Sequence, residues 1–222
     1  MFDSPSFRQG IRDSILILVA VAAFGVAYGV LAVGAGFSPW LATFSSVIIV
    51  SGAAQFAMIG LLAAGPVPVL LAATGLGLRH LPMSAALANM IGPQPLRTRM
   101  RLAWILVDET FGLSVRAANS GVEDVVAYKS AADLMLYTGW IVGTVAGAWF
   151  GGAIDPEAVG IGVLFPLLFL GLAAPMIRGR RDWVVAGSAV VTTLIATLVL
   201  PPAWQITVAA VVASLAGIGF SE

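Results

Sequence analysis

The feature that most constrains the fold is a series of long apolar runs separated by short polar segments. The chain has 222 residues, of which 59% are hydrophobic and 10% are charged. A water-soluble domain of this size must wet its exterior, so it does not carry this much apolar surface. A helix needs about 20 apolar residues to cross the hydrocarbon core of a bilayer. The sequence therefore predicts an all-α polytopic membrane protein.

About eight transmembrane helices are expected within a single integral membrane domain over residues 1–222. The last two runs are short, so seven spans are the alternative. The first run is too long for a signal-peptide core and is interpreted as a retained helix. The runs cover residues 14–34, 41–63, 67–91, 102–118, 134–150, 158–177, 183–200 and 203–220. The polar segments 92–101, 119–132 (which holds Lys129) and 178–182 are predicted to be loops.

The third run carries an ionisable pair near its centre. Arg79 is the thirteenth residue of the run 67–91, and it is followed by His80, the only histidine. A charge at the bilayer midplane costs roughly 3 kcal/mol on insertion scales, so Arg79 is expected to face protein or water. Pro82 lacks a backbone donor and weakens the helix at this level. Arg79 is either a structural arginine bonded to freed carbonyls or part of a substrate or proton site, and we favour the site.

Two other runs carry polar groups at a comparable depth. Asp108 and Glu109 are adjacent in the fourth run, and Arg79 and His80 are their most economical partners. Ser51 and Gln55 in the second run are four residues apart and share one helix face. Their spacing fits interhelical hydrogen bonding and, equally, a broken helix that lines a cavity. The candidate substrate-binding residues are therefore Arg79, His80, Ser51, Gln55, Asp108 and Glu109.

Glycines recur at helical spacing in the first and fifth runs. Gly25 and Gly29 are one turn apart, and a longer ridge follows at Gly139, Gly143, Gly147 and Gly151. Small residues at this spacing let two helix backbones approach closely in lipid. The pattern predicts a tight helix–helix contact, and a mid-chain helix is expected to make that contact inside its own subunit.

The basic segments conflict with a simple topology. These segments are the amino terminus with Arg8 and Arg12, residues 97–101, and residues 178–181. Three predicted spans separate each segment from the next, so the three cannot all lie on the cytoplasmic side. Either one broken segment is re-entrant, or spans 1–3 and 4–6 are inverted repeats, as in many transporters. The repeats would cover 7–91 and 97–178, followed by two helices over 183–220. With a cytoplasmic amino terminus, eight spans place 97–101 outside.

The residue inventory narrows the function to transport. The net charge is zero, which gives no electrostatic case for nucleic acid. There is no cysteine, so thiolate metal sites and cysteine nucleophiles are excluded. A single histidine beside Asp108 and Glu109 completes neither a triad nor a metal set, so no enzyme and no cofactor are expected. A mere packing subunit would leave the cost of the membrane-depth charges without a purpose.

Seven short motifs, in order along the chain, resemble the AzlC family, the large subunit of bacterial branched-chain amino-acid exporters. They are FRQGIR at 7–12, FGVAYGVLAVG at 24–34, SGAAQF at 51–56, LRH at 78–80 with Met83, DE at 108–109 with Phe111, YTGW at 137–140, and FP at 165–166 with Phe169. Two positions depart from the family pattern. Ala23 stands where proline usually precedes Phe-Gly, and Gly77 stands where asparagine commonly precedes Leu-Arg-His.

The resemblance implies a multi-pass permease of the bacterial inner membrane that exports branched-chain or similar hydrophobic amino acids. It also implies a small hydrophobic AzlD-type membrane subunit as partner. The alternatives are a transporter of another small organic solute and an intramembrane enzyme that uses His80 with Asp108 or Glu109. The six candidate site residues follow from the sequence and not from the resemblance.

Overall fold

The computed structural model describes residues 4–151, 170, 177 and 179–219, and within these ranges it contains helices and short connections without strands. The described helices are α1 (Pro5–Gly34), α2 (Pro39–Ile48), α3 (Gly52–Leu61) with a 3-10 turn (Leu62–Ala64), α4 (Pro66–Leu78), α5 (His80–Ile91), α6 (Leu96–Trp104), α7 (Asp108–Asn119), α8 (Val125–Phe150), α9 (Arg180–Val199) and α10 (Pro202–Gly219). The all-helical prediction is thus confirmed for the described part of the chain.

The chain divides into two compact units. The first consists of Met1–Phe56 with Gly77–Asp155, and the second of Ala57–Leu76 with Pro156–Glu222. All six candidate site residues belong to the first unit. In the second unit, α9 packs against α10, and a Cβ atom on Gly217 would lie 3.0 Å from the Cγ2 atom of Val185. The single membrane domain expected over 1–222 stays a prediction.

The first unit is built on the two longest described helices, α1 and α8. Helix α1 begins where the Ser4 hydroxyl accepts a hydrogen bond from the Phe7 amide at 3.2 Å. Helix α8 begins where the Asp124 carboxylate accepts one from the Ala127 amide at 2.9 Å. Such caps satisfy amide groups that have no partner inside the helix. The side chains of α8 that face α1 are small, and this lets the two helices pack along their length.

The glycine ridge is the contact surface between α8 and α1. A Cβ atom on Gly143 or Gly147 would overlap the main-chain carbonyl of Ala22 or Val26. From the other side, a Cβ on Gly25 would lie 2.5 Å from the Trp140 carbonyl oxygen. Only glycine allows this separation of the two backbones. The predicted tight contact inside the subunit is confirmed.

Three of the predicted runs are broken helices. The second run breaks at residues 49–51 between α2 and α3, and the third breaks at Arg79 between α4 and α5. Both interruptions were expected from the sequence, and Pro82 lies in the first turn of α5, where a missing amide costs little. The fourth run, predicted to be one span, is also interrupted, at residues 105–107 between α6 and α7. Asp108 and Glu109 begin a new helix, α7, where the positive end of the helix dipole stabilises their charges.

The three predicted loops are partly helical, which corrects the sequence interpretation. Within 92–101, helix α6 begins at Leu96, because arginine, leucine and methionine are strong helix formers. Within 119–132, helix α8 begins at Val125 behind the Asp124 cap. Within 178–182, helix α9 begins at Arg180, and the Asp182 carboxylate accepts a hydrogen bond from the Gly179 amide at 2.9 Å. Polar residues mark helix starts and faces in these segments.

Two of the described helices, α1 and α9, are long and apolar enough to cross a membrane by length and composition. Helix α8 is also long, but its first turns contain Lys129 and Asp133, whose side chains are buried. Helices α2 and α3 are apolar and short. The prediction of eight spans is therefore not confirmed. The sixth run, 158–177, lies outside the described residues apart from 170 and 177.

Candidate functional site

An ion pair joins two helix junctions in the first unit. Arg79 is the single residue between α4 and α5, and Asp108 is the first residue of α7. The Arg79 Nη1 atom lies 2.9 Å from the Asp108 Oδ2 atom. The two side chains are 37% and 51% exposed, so the pair is accessible. The predicted pairing of Arg79 with Asp108 is confirmed.

The Arg79–Asp108 pair retains hydrogen-bonding capacity. The Arg79 Nε atom is buried and has no hydrogen-bond partner among the described residues. A guanidinium group presents its donors in a planar fork that matches a carboxylate. The junction thus holds one guanidinium donor without a partner among the described residues.

Glu109 and His80 are the sequence neighbours of this pair, and only Glu109 lies near the partners expected for it. Glu109 is partly buried in the first turn of α7, close enough to Asp108 and Arg79 for both charges to act on it. His80 was expected to bind the acids, and that is wrong. Its Nδ1 atom lies 2.9 Å from the Gly77 carbonyl oxygen in the last turn of α4. The broken helix frees this carbonyl, and the adjacent ring satisfies it.

Gln55 and Ser51 lie in a different environment, at the break between α2 and α3. Gln55 is fully buried, and its Nε2 atom donates to the Ser46 hydroxyl at 3.0 Å. Its Oε1 atom accepts a hydrogen bond from the Trp140 indole at 2.9 Å. The Ser51 hydroxyl accepts one from the Ala54 amide at 3.4 Å at the start of α3. Within the described residues, neither side chain is hydrogen-bonded to Arg79 or Asp108.

A polar network surrounds Gln55 and ties the break to α1 and α8. The Tyr28 hydroxyl on α1 lies 2.6 Å from the Ser45 hydroxyl, and the Ser46 hydroxyl lies 2.9 Å from that of Thr144 on α8. The Tyr28 and Trp140 rings stack with their centroids 6.0 Å apart. This arrangement is interhelical hydrogen bonding, one of the two interpretations that the spacing of Ser51 and Gln55 left open.

A second ion pair was missed by sequence reasoning. The Lys129 Nζ atom lies 2.6 Å from the Asp133 Oδ1 atom, and the side chains are 0% and 5% exposed. Lys129 had been placed in a polar loop, but it projects from the second turn of α8 into the interior. The spacing of four residues between a lysine and an aspartate was the available signal, since such pairs face each other on a helix.

The sequence profile of the AzlC protein family matches residues 16–154. The chain belongs to the AzlC family. It is similar to an uncharacterized membrane protein of Archaeoglobus fulgidus, with 31% identity over 191 residues and 84% of each chain covered. It is also similar to the inner membrane protein YgaZ of Escherichia coli, with 28% identity over 201 residues, which is 84% of this chain and 80% of that one. No solved structure matches the chain.

The relatives place this AzlC-family chain in a membrane. A third similar protein, from Haemophilus influenzae, is also named a membrane protein, with 26% identity over 159 residues. Both ion pairs and the polar network around Gln55 lie inside the region that the AzlC family profile matches. The described residues contain no group of three or more His, Asp or Glu side chains that could hold a metal ion.

Proposed function

We propose that this AzlC-family chain is the permease subunit of a secondary transporter that exports branched-chain or similar hydrophobic amino acids across the bacterial inner membrane. The observation that carries the proposal is the Arg79–Asp108 pair, which lies at two helix ends, is accessible, and has an unpaired donor at the Arg79 Nε atom. Transporter sites are commonly formed by discontinuous helices of this kind. Family membership supports a transport component, and the chemistry of the pair supports a zwitterionic cargo.

The pair suits an amino acid because it can exchange one partner for another. A zwitterion brings a carboxylate for Arg79 and an ammonium group for Asp108. As the cargo enters, the ion pair between the two side chains is replaced by two ion pairs with the cargo. Each of the two partly exposed charges then keeps an opposite partner, so neither is left unpaired when the cargo displaces the other. A singly charged solute would leave one of the two residues unpaired.

An apolar cargo side chain also finds neighbours at this junction. Met83 follows Arg79 by four residues on α5, and Phe111 follows Asp108 by three on α7. Residues at these spacings lie on the same helix face. We place the branched side chain against Met83 and Phe111, and we assign Glu109 to the coupling proton. His80, Ser51 and Gln55 would support the two helix breaks from which the site is built.

The small hydrophobic AzlD-type subunit is part of the same proposal. The glycine ridge of α8 is already occupied by α1, so the partner would bind another face of the permease. Substitutions on the ridge should therefore damage the fold of the large subunit itself, and loss of the partner would follow from that damage.

Counterflow in proteoliposomes tests the proposal. The permease and its small subunit are reconstituted, and uptake of labelled leucine, isoleucine and valine is compared with that of charged and polar amino acids and of organic acids. Arg79→Lys keeps the charge and loses the planar fork, so it should retain the pair with Asp108 and lose most counterflow. Arg116→Lys, on the exposed end of α7, is the matched control and should transport normally.

Two results would contradict the proposal. The first is the absence of counterflow for every hydrophobic amino acid in the wild-type complex, and uptake of an organic acid alone would then favour another solute class. The second is equal counterflow by the Arg79→Lys and Arg116→Lys variants, which would remove Arg79 from the cargo site.

A further inference from the structure

The buried Lys129–Asp133 pair lies at a third helix break and is not used by the proposed cargo site. Helix α6 ends at Trp104 and α7 begins at Asp108, so the intervening Ile105 carbonyl is near the end of a helix. The Lys129 Nζ atom lies 3.4 Å from this carbonyl oxygen and 3.4 Å from the Thr110 hydroxyl oxygen. With the Asp133 carboxylate at 2.6 Å, three oxygens converge on one ammonium group.

The number and type of these oxygens describe a cation site. An ammonium group has three N–H donors, and each has one acceptor here. A carboxylate, a hydroxyl and a main-chain carbonyl freed by a helix break are also the ligands that alkali cations take in membrane proteins. An ordinary surface pair at this spacing needs none of the extra oxygens and no burial. The arrangement around Lys129 therefore exceeds what a helix-stabilising pair requires.

We propose that Lys129 is a tethered cation that fills an oxygen-lined site for a monovalent cation, formed by Asp133, Thr110 and the Ile105 carbonyl. The Lys129 ammonium group would thus supply the positive charge that a bound sodium ion would supply in its absence. Arg101 on α6 is a further positive charge that acts on both members of the pair. This ion site is separate from the Arg79–Asp108 pair and does not depend on which cargo is carried.

Removal of the lysine side chain should open the site to an external ion. In Lys129→Ala the buried Asp133 carboxylate would lose its ion-pair partner, which is strongly destabilising. Sodium should restore the missing charge, whereas choline is too large to enter. At a sodium concentration about ten times the dissociation constant, the ratio of folded to unfolded protein should rise about tenfold. The wild-type protein should show no difference between the two salts.

The experiment measures thermal unfolding of the purified full-length protein in sodium chloride and in choline chloride at equal ionic strength. Two controls share the loss of the lysine. Lys129→Met fills the space with an uncharged chain, and Lys129→Ala combined with Asp133→Asn removes the carboxylate, so neither should respond to sodium. If Lys129→Ala is too unstable in choline, its yield from membranes extracted in each salt replaces the melting curve.

Each outcome decides the proposal. A sodium-specific gain in Lys129→Ala, absent from both controls and from the wild type, supports a cation site. Equal stability or equal yield in the two salts, including failure to recover the variant in either, overturns it and leaves Lys129–Asp133 a structural pair. The unfolding measurement involves no transport, so a negative result would leave the amino-acid proposal unchanged. A negative counterflow assay would likewise leave the cation-site proposal unchanged.

Discussion

At the scale of single residues, the protein contains two ion pairs that differ in accessibility. Arg79 and Asp108 are each more than a third exposed, so an incoming molecule can reach them and exchange partners with them. Lys129 and Asp133 are almost completely enclosed, and a cargo molecule has no access to them in this conformation. The two pairs have the same chemistry and differ in their surroundings, so only the Arg79–Asp108 pair fits the proposed cargo site.

Exchange of the Arg79 and Asp108 side chains separates a cargo site from a structural pair. We expect the double variant Arg79→Asp with Asp108→Arg to fold and to remain inactive, because the cargo would meet its charges in the reverse arrangement. An arginine at the start of α7 also opposes the helix dipole, at a cost of about 0.3–1 kcal/mol. Counterflow after size-exclusion chromatography is the measurement. Recovery of transport by the double variant would assign both residues to the scaffold.

The network around Gln55 should contribute to stability. Gln55→Leu leaves the Trp140 indole with one acceptor, the Ser46 hydroxyl, and removes a donor from Ser46. Buried polar groups that lose a partner cost about 1–3 kcal/mol, so the melting temperature should fall by several degrees. Gln94→Leu is the matched control, since Gln94 bonds only to the Ile91 carbonyl in the described structure. A similar loss in both variants would argue against a special role for the network.

At the scale of helices, local patterns in the sequence predicted packing faces and helix breaks. The four-residue glycine spacing of α8 identified its contact face, and Pro82 marked the break before α5. The burial of Lys129 could not be read in this way, because its oxygen partners include Ile105 and Thr110 from a distant part of the chain. Gln55 likewise meets Trp140 only in the folded protein. Periodicity predicts which face packs, but not which polar groups meet there.

Addition of a single methyl group to the glycine ridge should destabilise the fold. In Gly147→Ala the new Cβ would overlap the main chain at Val26, which cannot move aside as a flexible side chain can. We therefore expect a large fall in the melting temperature and in the yield of folded protein. Gly187→Ala on α9 is the control, because a Cβ there meets no atom within 4 Å. Its effect should be neutral or slightly stabilising, since alanine favours helices over glycine. Equal effects would show that α1 and α8 can separate freely.

At the scale of the whole molecule, charge and span count give opposite expectations for the side of the membrane on which α6 lies. Helix α6 carries Arg97, Arg99 and Arg101, a concentration of charge that favours the cytoplasmic side. Eight spans and a cytoplasmic amino terminus place the same helix outside. The breaks in the second and third runs make a re-entrant segment a concrete alternative to inverted repeats.

Single-cysteine labelling distinguishes the two topologies, since the chain has no native cysteine. The inverted-repeat arrangement predicts that Thr98→Cys on α6 reacts with a membrane-impermeant maleimide from outside intact cells. A cysteine at Ser4 should react only after the membrane is opened and serves as the cytoplasmic control. Labelling of position 98 solely from the cytoplasm would contradict the repeat and favour a re-entrant segment.

The pairing of α1 with α8 has a consequence for biosynthesis. The ribosome makes α1 first, but all of residues 35–124 must follow before α8 exists to cover its glycine face. Until then the glycine face of α1 is exposed to lipid or to a chaperone, because its contact with α8 joins residues that are distant in sequence. A nascent chain released before α8 emerges should therefore be a substrate for membrane proteases. Pulse–chase comparison of chains truncated before and after α8 would show at which length the chain first resists degradation in the cell.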